Sequence, residues 1–552
     1  MGFVTRRAVL AGAGAALAGT AVSPHLSVAA PAAADPVHTD PVHTVRPDDP
    51  RYPQLVTGNN QRFVAAPEYF RMLRSPADAE RAVRQAVETG KRVSVRSGGH
   101  CFADLVCHPG AQVVLDLSGM HGVGYDPAMR AFSVEPGARL LNVYEDLFTG
   151  WGVTIPGGMC WSVGAGGHVA GGGYGLLSRA HGLVVDHLHA VEVVVVDQDR
   201  RVRTVVATRD PQDPHHDLWW AHTGGGGGNF GVVTRYWFRS PDARGADPAG
   251  QLVRPPSTVL VRAVSFPWED LGEREFTRLL ANFGRWHEEH SAPDAPQRKL
   301  SSVFNVCHRA HGSLDIFIQV DGDAPDAQRI LDDYLGRLTD GTGLTPKALR
   351  KGSGDLAAMP ELGEAQRLPW LNAARLVGLN NPTITHPSLR GAHKSALMRR
   401  GFTDAQLSTM YRHLTSAEYA NPNTMIVLFS YGGRVNSVAP DATAAAQRSS
   451  IFKMLFQTFW GDASGDRAGL GWTRGIYEEF FADTGGVPVP SDRYEGCYVN
   501  YPDTDLKDPA RNRSGVPWHD LFYGANHRRL QEVKRRWDPT DYFRHSLSVR
   551  PR

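Results

Sequence analysis

The chain gathers many of its 58 glycines into three short clusters, and this distribution restricts its folding options more than any other feature. The clusters are the Gly98-Gly99 pair, the block 157–175 and the run 224–231. Glycine at that density disfavours a stable helix and allows positive φ and close backbone approach, so these stretches predict a backbone that wraps a flat, polar molecule. No Gly-Lys-Ser/Thr follows any of the runs, which excludes a P-loop. The first predicted βα turn lacks a G-x-G-x-x-G fingerprint, which argues against a Rossmann dinucleotide site.

The 552 residues allow two or three domains around a large core. Acidic and basic residues nearly cancel to a formal net charge of +2, so nothing favours nucleic acid as a partner. The basic runs His527-Arg528-Arg529 and Lys534-Arg535-Arg536 fall in a helical pattern and read as a solvated face. At the N-terminus, Arg6-Arg7 precedes a short apolar stretch and the small residues Ala32-Ala33-Ala34. This pattern predicts a twin-arginine (Tat) export signal over 1–34. A transmembrane anchor fits less well, because the stretch is short and poor in large aliphatics. The expected mature protein is secreted or extracytoplasmic, with no membrane span. The five cysteines are an odd number, so at least one stays outside any intrachain disulfide. Cys101 and Cys107, with His108, lack the second ligand pair that zinc needs; a small disulfide loop or two free thiols is expected there, and no metal.

Residues 35–56, with a near-duplicated Asp-Pro-Val-His-Thr, read as a linker. A strand at 69–73, an Ser75-Pro76 helix start, helical apolar spacing to Val87, a stop at Gly90 and a strand at 92–96 make a βαβ unit. Further strands at 112–117 and 131–136, a helix at 140–148, a hairpin about Asp197-Gln198-Asp199-Arg200 and a strand at 232–238 complete one α+β unit. A Pro/Gly/Ala-rich stretch, 241–256, marks a boundary. Beyond it, strands at 258–264, 314–320 and 424–431 and helices at 275–288 and 325–337 suit a sheet with helices on one face. A helix at 528–537 ends at Asp538-Pro539.

Arg96-Ser97-Gly98-Gly99-His100 follows a strand directly, so its amides can point into one concavity, as a pyrophosphate requires. Pro156-Gly157-Gly158-Met159-Cys160 opens the second cluster, Gly231-Val232-Val233 closes the third, and Tyr498-Val499-Asn500-Tyr501 lies near the C-terminus. With Tyr523-Gly524-Ala525-Asn526-His527, these motifs resemble the berberine bridge enzyme-like group of PCMH-type (vanillyl-alcohol-oxidase-like) FAD flavoproteins. The resemblance runs from about Thr57 to the end and looks strongest toward actinobacterial oxidases of glycosylated antibiotics and toward oligosaccharide oxidases.

The resemblance implies an α+β fold: a two-part PCMH-type FAD-binding domain (57–240), a substrate domain (257–510) whose antiparallel sheet is covered by helices, and a segment (511–552) returning to the FAD domain. It implies FAD attached covalently twice, by the His100 ring to the flavin C8 methyl and by the Cys160 sulfur to C6. Further FAD contacts are expected from Arg96, Ser97, Gly98, Gly99, Cys101, Gly157, Gly158, Val163, Gly164, Gly167, His168, Gly172, Gly173, Gly231, Val232, Val233 and Asn500. Tyr501 matches the position of a general base, Tyr174 a partner that polarises it or touches substrate, and Tyr431 a substrate-strand residue facing the flavin. A phenol titrates near 10, so Tyr501 needs its pKa depressed to act near neutrality. Some relatives carry a glutamate on the strand before the Tyr431 position. Met425-Ile426-Val427-Leu428-Phe429-Ser430 holds no carboxylate, which favours a tyrosine-based mechanism.

The implied activity is oxidation of a CH–OH group on a glycosylated secondary metabolite or oligosaccharide, with O2 as acceptor and H2O2 as product. Dehydrogenation or cyclisation at a C–C or C–N bond is the alternative. A non-catalytic binding protein would need neither tether nor Tyr501. A hydrolase lacks support because neither G-x-S-x-G nor H-E-x-x-H occurs.

Overall fold

A computed structural model describes residues 43–378 and 388–552; the predicted export signal lies outside them. The βαβ unit forms from local signals. Ser75 caps the helix Pro76–Glu88 by accepting from the Asp78 amide at 3.1 Å, and Ala79, Ala82, Val83, Ala86 and Val87 are buried along one face. Its flanking strands, Tyr69–Met72 and Val93–Arg96, do not pair with each other; Val113–Asp116 inserts between them, parallel to both. Residues 43–56, expected as part of a linker, are instead structured. His43–Val45 pairs antiparallel with Tyr69–Met72, because Val45 fills a small core with Phe70 and Val114 against which Tyr52 and Leu55 pack. A five-stranded antiparallel sheet follows, ordered Val123–Asp126, Ala131–Val134, Val232–Phe238, Leu188–Val196, Val202–Thr208. Val194, Val196 and Val232 meet the Pro76–Glu88 helix in a common core.

The largest sheet has eight strands, all antiparallel. Its main path runs Thr258–Pro267, Ser313–Asp321, Leu300–Cys307, Thr424–Ser430, Phe452–Trp460, Arg390–Met398; two short strands, Lys347–Ala348 and Gln366–Pro369, pair on Thr258–Pro267. Alternation along Phe452–Trp460 divides the two faces. Phe452 and Phe456 pack against Phe283, Tyr477 and Phe480 of the helices Glu273–His290 and Asp466–Phe480. Leu455, Gln457 and Phe459 point to the opposite side, where the glycine clusters lie. Among the described residues, no helix is long and apolar enough to cross a membrane.

Two expectations are corrected here. A helix does form inside the glycine block, Ala165–Ala170, because tertiary bonds fix it: Ala165 and Gly166 donate to the Ala138 and Pro136 carbonyls at 2.8 and 2.9 Å, and Tyr236 donates to the Gly166 carbonyl. The helix His527–Trp537 does not turn all its basic residues to water. Lys534 is fully buried, 2.6 Å from Asp538, and donates to the carbonyls of Asn229 and Phe543. That lysine fastens the C-terminal segment to the third glycine cluster.

Candidate functional site

The three glycine clusters and the open face of the large sheet enclose a cavity of about 320 Å³. Gly98 stands where any Cβ would collide with the Gly164 backbone, so only glycine allows the loop carrying His100 to touch the loop carrying Cys160. The result is convergence on one hydroxyl. Ser162 Oγ lies 2.9 Å from His100 Nε2 and 3.9 Å from Cys160 Sγ. Burial, with Arg139 adding, lowers the His100 pKa to about 4, so the imidazole is neutral and nucleophilic at ordinary pH. Burial and the nearby Asp355 charge raise the Cys160 thiol to about 12.

Of the expected FAD contacts, Arg96, Ser97, Gly98, Gly99, His100, Cys101, Gly158, Cys160, Val163, Gly164, Gly167, His168, Gly231, Val233 and Asn500 line the cavity. Gly157, Gly172, Gly173 and Val232 do not. Their smallness or burial serves packing: a Cβ on Gly173 would press on Val184 at 2.8 Å, one on Gly157 would meet the Tyr144 hydroxyl at 2.6 Å, and Val232 sits in the core. Arg96 lines the wall, and its side chain is committed to a buried ion pair with Asp116 at 2.6 Å. Cys101 and Cys107 are both free thiols, and burial raises Cys101 to about 11. Asn500 Nδ2 donates to the His168 carbonyl at 3.1 Å and to Tyr498 Oη at 3.2 Å, tying the C-terminal motif to the glycine block. Gly167 supplies a test of fit. It lines the cavity, and a Cβ added there would meet no protein atom within 4 Å. A smooth wall at that point suits a flat ring system, and His100 and Cys160 line the same cavity.

In the same cavity, Tyr174 Oη and Tyr501 Oη lie 2.6 Å apart. Phe102 stacks on Tyr501 at 5.4 Å and on His393 at 3.9 Å, which fixes the plane of the Tyr501 ring. The expected depression of the Tyr501 pKa is not what the chain alone produces: burial pushes it well above 10, and the Tyr174 hydrogen bond works in the opposite direction. Sequence reading missed Lys453. Its Nζ lies 3.7 Å from the Tyr174 ring centre, 3.6 Å from that of Tyr498 and 4.5 Å from that of Tyr431. Lys453 is 2 % exposed, and burial followed by Arg448 pulls its pKa well below the usual lysine range. Tyr431 is corrected. It lies behind Tyr174, outside the cavity wall; its hydroxyl donates to the Gln447 carbonyl at 3.4 Å and its own carbonyl accepts from Arg179. Two further residues that sequence reading missed, Asp355 and Gln457, line the cavity on the substrate-sheet side. A lysine or glutamine interrupting an apolar strand was the only signal available for Lys453 and Gln457.

Comparison with known proteins agrees with this geometry. Residues 67–204 match the family described as FAD binding domain, and 497–550 match berberine and berberine like. Aclacinomycin-N/aclacinomycin-A oxidase of Streptomyces galilaeus is 47 % identical over 99 % of this chain and 98 % of its own. Hexose oxidase of Chondrus crispus is 30 % identical over 91 % and 93 %. The crystal structure of a glycopeptide hexose oxidase complexed with teicoplanin superposes with a TM-score of 0.85 at 44 % identity, covering 92 % of this chain and 99 % of that one. Fold, cavity and relatives together define an FAD-dependent oxidoreductase. Within that class, the chain belongs to the berberine bridge enzyme-like flavoproteins.

Proposed function

We propose that this protein is an exported oxidase that holds FAD by two covalent bonds, at His100 and Cys160, and oxidises a carbinol on a glycosylated secondary metabolite or an oligosaccharide. The observation that carries the reading is one cavity lined by both His100 and Cys160, which meet at Ser162, and the Tyr174–Tyr501 pair. The substrate class is supported by the relatives, which are an aclacinomycin oxidase, a hexose oxidase and a glycopeptide hexose oxidase.

Ser162 engages His100 Nε2, which leaves Nδ1 as the ring nitrogen available for a bond. Bound FAD supplies the acceptor for the two electrons and the hydrogen leaving the carbinol carbon, and dioxygen takes them on as hydrogen peroxide. Tyr501 as the phenolate takes the hydroxyl proton of the substrate and becomes neutral; Tyr174, donating to Tyr501, favours the charge on Tyr501 before that transfer. Burial opposes an isolated charge on Tyr501, and the Tyr174 hydrogen bond is the one contact that works toward the phenolate. Two tethers also fix the ring system without a closed pocket around it, which leaves room for a bulky glycoside.

The test is turnover of D-glucose, aclacinomycin A and teicoplanin by purified protein, followed by oxygen consumption, peroxide formation and product mass. A product two hydrogens lighter, with a new carbonyl on the sugar and one peroxide per oxygen, is expected. A double bond formed between carbons, or at nitrogen, with the sugar hydroxyls intact contradicts the carbinol assignment.

A further inference from the structure

Asp355 is a carboxylate in the cavity that the proposed chemistry leaves unused. It sits at the tip of a tight turn, Ser353-Gly354-Asp355-Leu356, closed by reciprocal backbone bonds between Ser353 and Leu356 at 2.9 and 2.8 Å. Asn305 Nδ2 anchors the turn from below, donating to the Ser353 carbonyl at 2.7 Å and to Ser353 Oγ at 3.1 Å. Gly354, at φ +50°, lies so close to the large sheet that a Cβ would stand 2.7 Å from Met425 Sδ, 3.2 Å from Asn305 Nδ2 and 3.3 Å from Gln457 Nε2. The turn is thus clamped onto the cavity face of the sheet, and its one projecting charge enters the cavity.

Among the described residues, the Asp355 carboxylate has neither an ion-pair partner nor a hydrogen-bond donor; burial alone acts on it and raises its pKa to about 6. Its charge is felt at Tyr501, Tyr174 and Cys160, so it stands near the reacting end of the cavity. On the sheet side the wall carries the apolar Val303, Phe429, Leu455 and Phe459, with Ser301, Ser302, Ser430 and Gln457 adding polar residues. Asp355 is half-buried and opens on the cavity, so a rigid turn holds its carboxylate where a bound molecule can donate to it.

We propose that Asp355 is the specificity residue of the substrate subsite: its carboxylate accepts hydrogen bonds from hydroxyls of the sugar ring and repels anionic sugars. This rests on the carbinol-oxidase reading and adds to it the group that recognises substrate. It also provides a carboxylate from the turn, where the strand Thr424–Ser430 has none.

The experiment measures binding and turnover separately on flavin-loaded protein. Aclacinomycin A is titrated into Tyr501→Phe and into Tyr501→Phe/Asp355→Asn, with the flavin difference spectrum reporting Kd without turnover. Initial rates with aclacinomycin A and D-glucose compare wild type with Asp355→Asn. Loss of a hydrogen bond to a charged group predicts about ten- to hundredfold weaker Kd and higher KM, with kcat changed less than about threefold. Unchanged Kd and KM overturn the proposal, as does a fall in kcat at constant KM. Should Asp355→Asn fail to load flavin, wild type decides: D-glucuronate is expected neither to be oxidised nor to compete with D-glucose, and competition equal to that of D-glucose overturns the subsite. Oxidation at a C–C or C–N bond with a Kd still dependent on Asp355 would sink the parent reading while sparing this one. A wild-type flavin spectrum unmoved by any of these sugars sinks both.

Discussion

At the scale of single residues, the proposed chemistry turns on the Tyr174–Tyr501 pair, whose hydroxyls lie 2.6 Å apart. Tyr501→Phe is expected to lower kcat by about 10²- to 10⁴-fold, the range for loss of a general base, while the bound flavin spectrum stays intact. Asp355 gives a stability prediction with a defined sign. Its pKa is raised from 3.8 to about 6 by burial, so it favours the folded state fully only below about 3.8, and that contribution is lost as pH rises through about 6. Asp355→Asn is therefore expected to stabilise the protein by about 2 kcal/mol at pH 7.5, with the gain gone near pH 4, as read by denaturant unfolding. His100, Cys160 and Tyr501 were legible in the sequence because each sits in a short motif whose neighbours define it. Ser162, Lys453 and Asp355 were not, because the groups around them lie far along the chain and become neighbours only on folding.

At the scale of elements, the helix Ala165–Ala170 shows glycine retained against local preference. Gly167→Ala should raise helix propensity by about 1 kcal/mol, and the added methyl meets no protein atom. If the space belongs to the flavin, the variant folds but incorporates less FAD, measured as the ratio of flavin to protein absorbance. Equal loading would remove that wall from the cofactor site. The strands Leu300–Cys307, Arg390–Met398 and Phe452–Trp460 were missed in the sequence for a physical reason. The first and third are buried on both faces and show no alternation of polar and apolar residues, and Arg390–Met398 carries His393 and Lys394 inward. The Pro76–Glu88 helix was legible because Ser75, Pro76 and the apolar spacing all act within one segment.

For the whole molecule, the site depends on distant parts of the chain being pinned together. Lys534 joins the last helix to the third glycine cluster, and Asn500 joins the C-terminal motif to the second. Lys534→Met leaves Asp538 buried without its cation and is expected to cost about 3–5 kcal/mol in unfolding free energy, an effect absent for the solvent-facing Arg535→Met. The α+β class was readable from the order of expected strands and helices, and the antiparallel sheet was implied by the family resemblance. The pairing order was not, since Val113–Asp116 enters between strands that precede it. The central claim is that one ring system is held by both an imidazole and a sulfur. Intact mass of the denatured, desalted chain tests it: wild type should exceed its sequence mass by one FAD, His100→Ala and Cys160→Ala should each still carry one, and the double variant none. A wild-type mass equal to the bare polypeptide, with free flavin in the supernatant, would contradict the account.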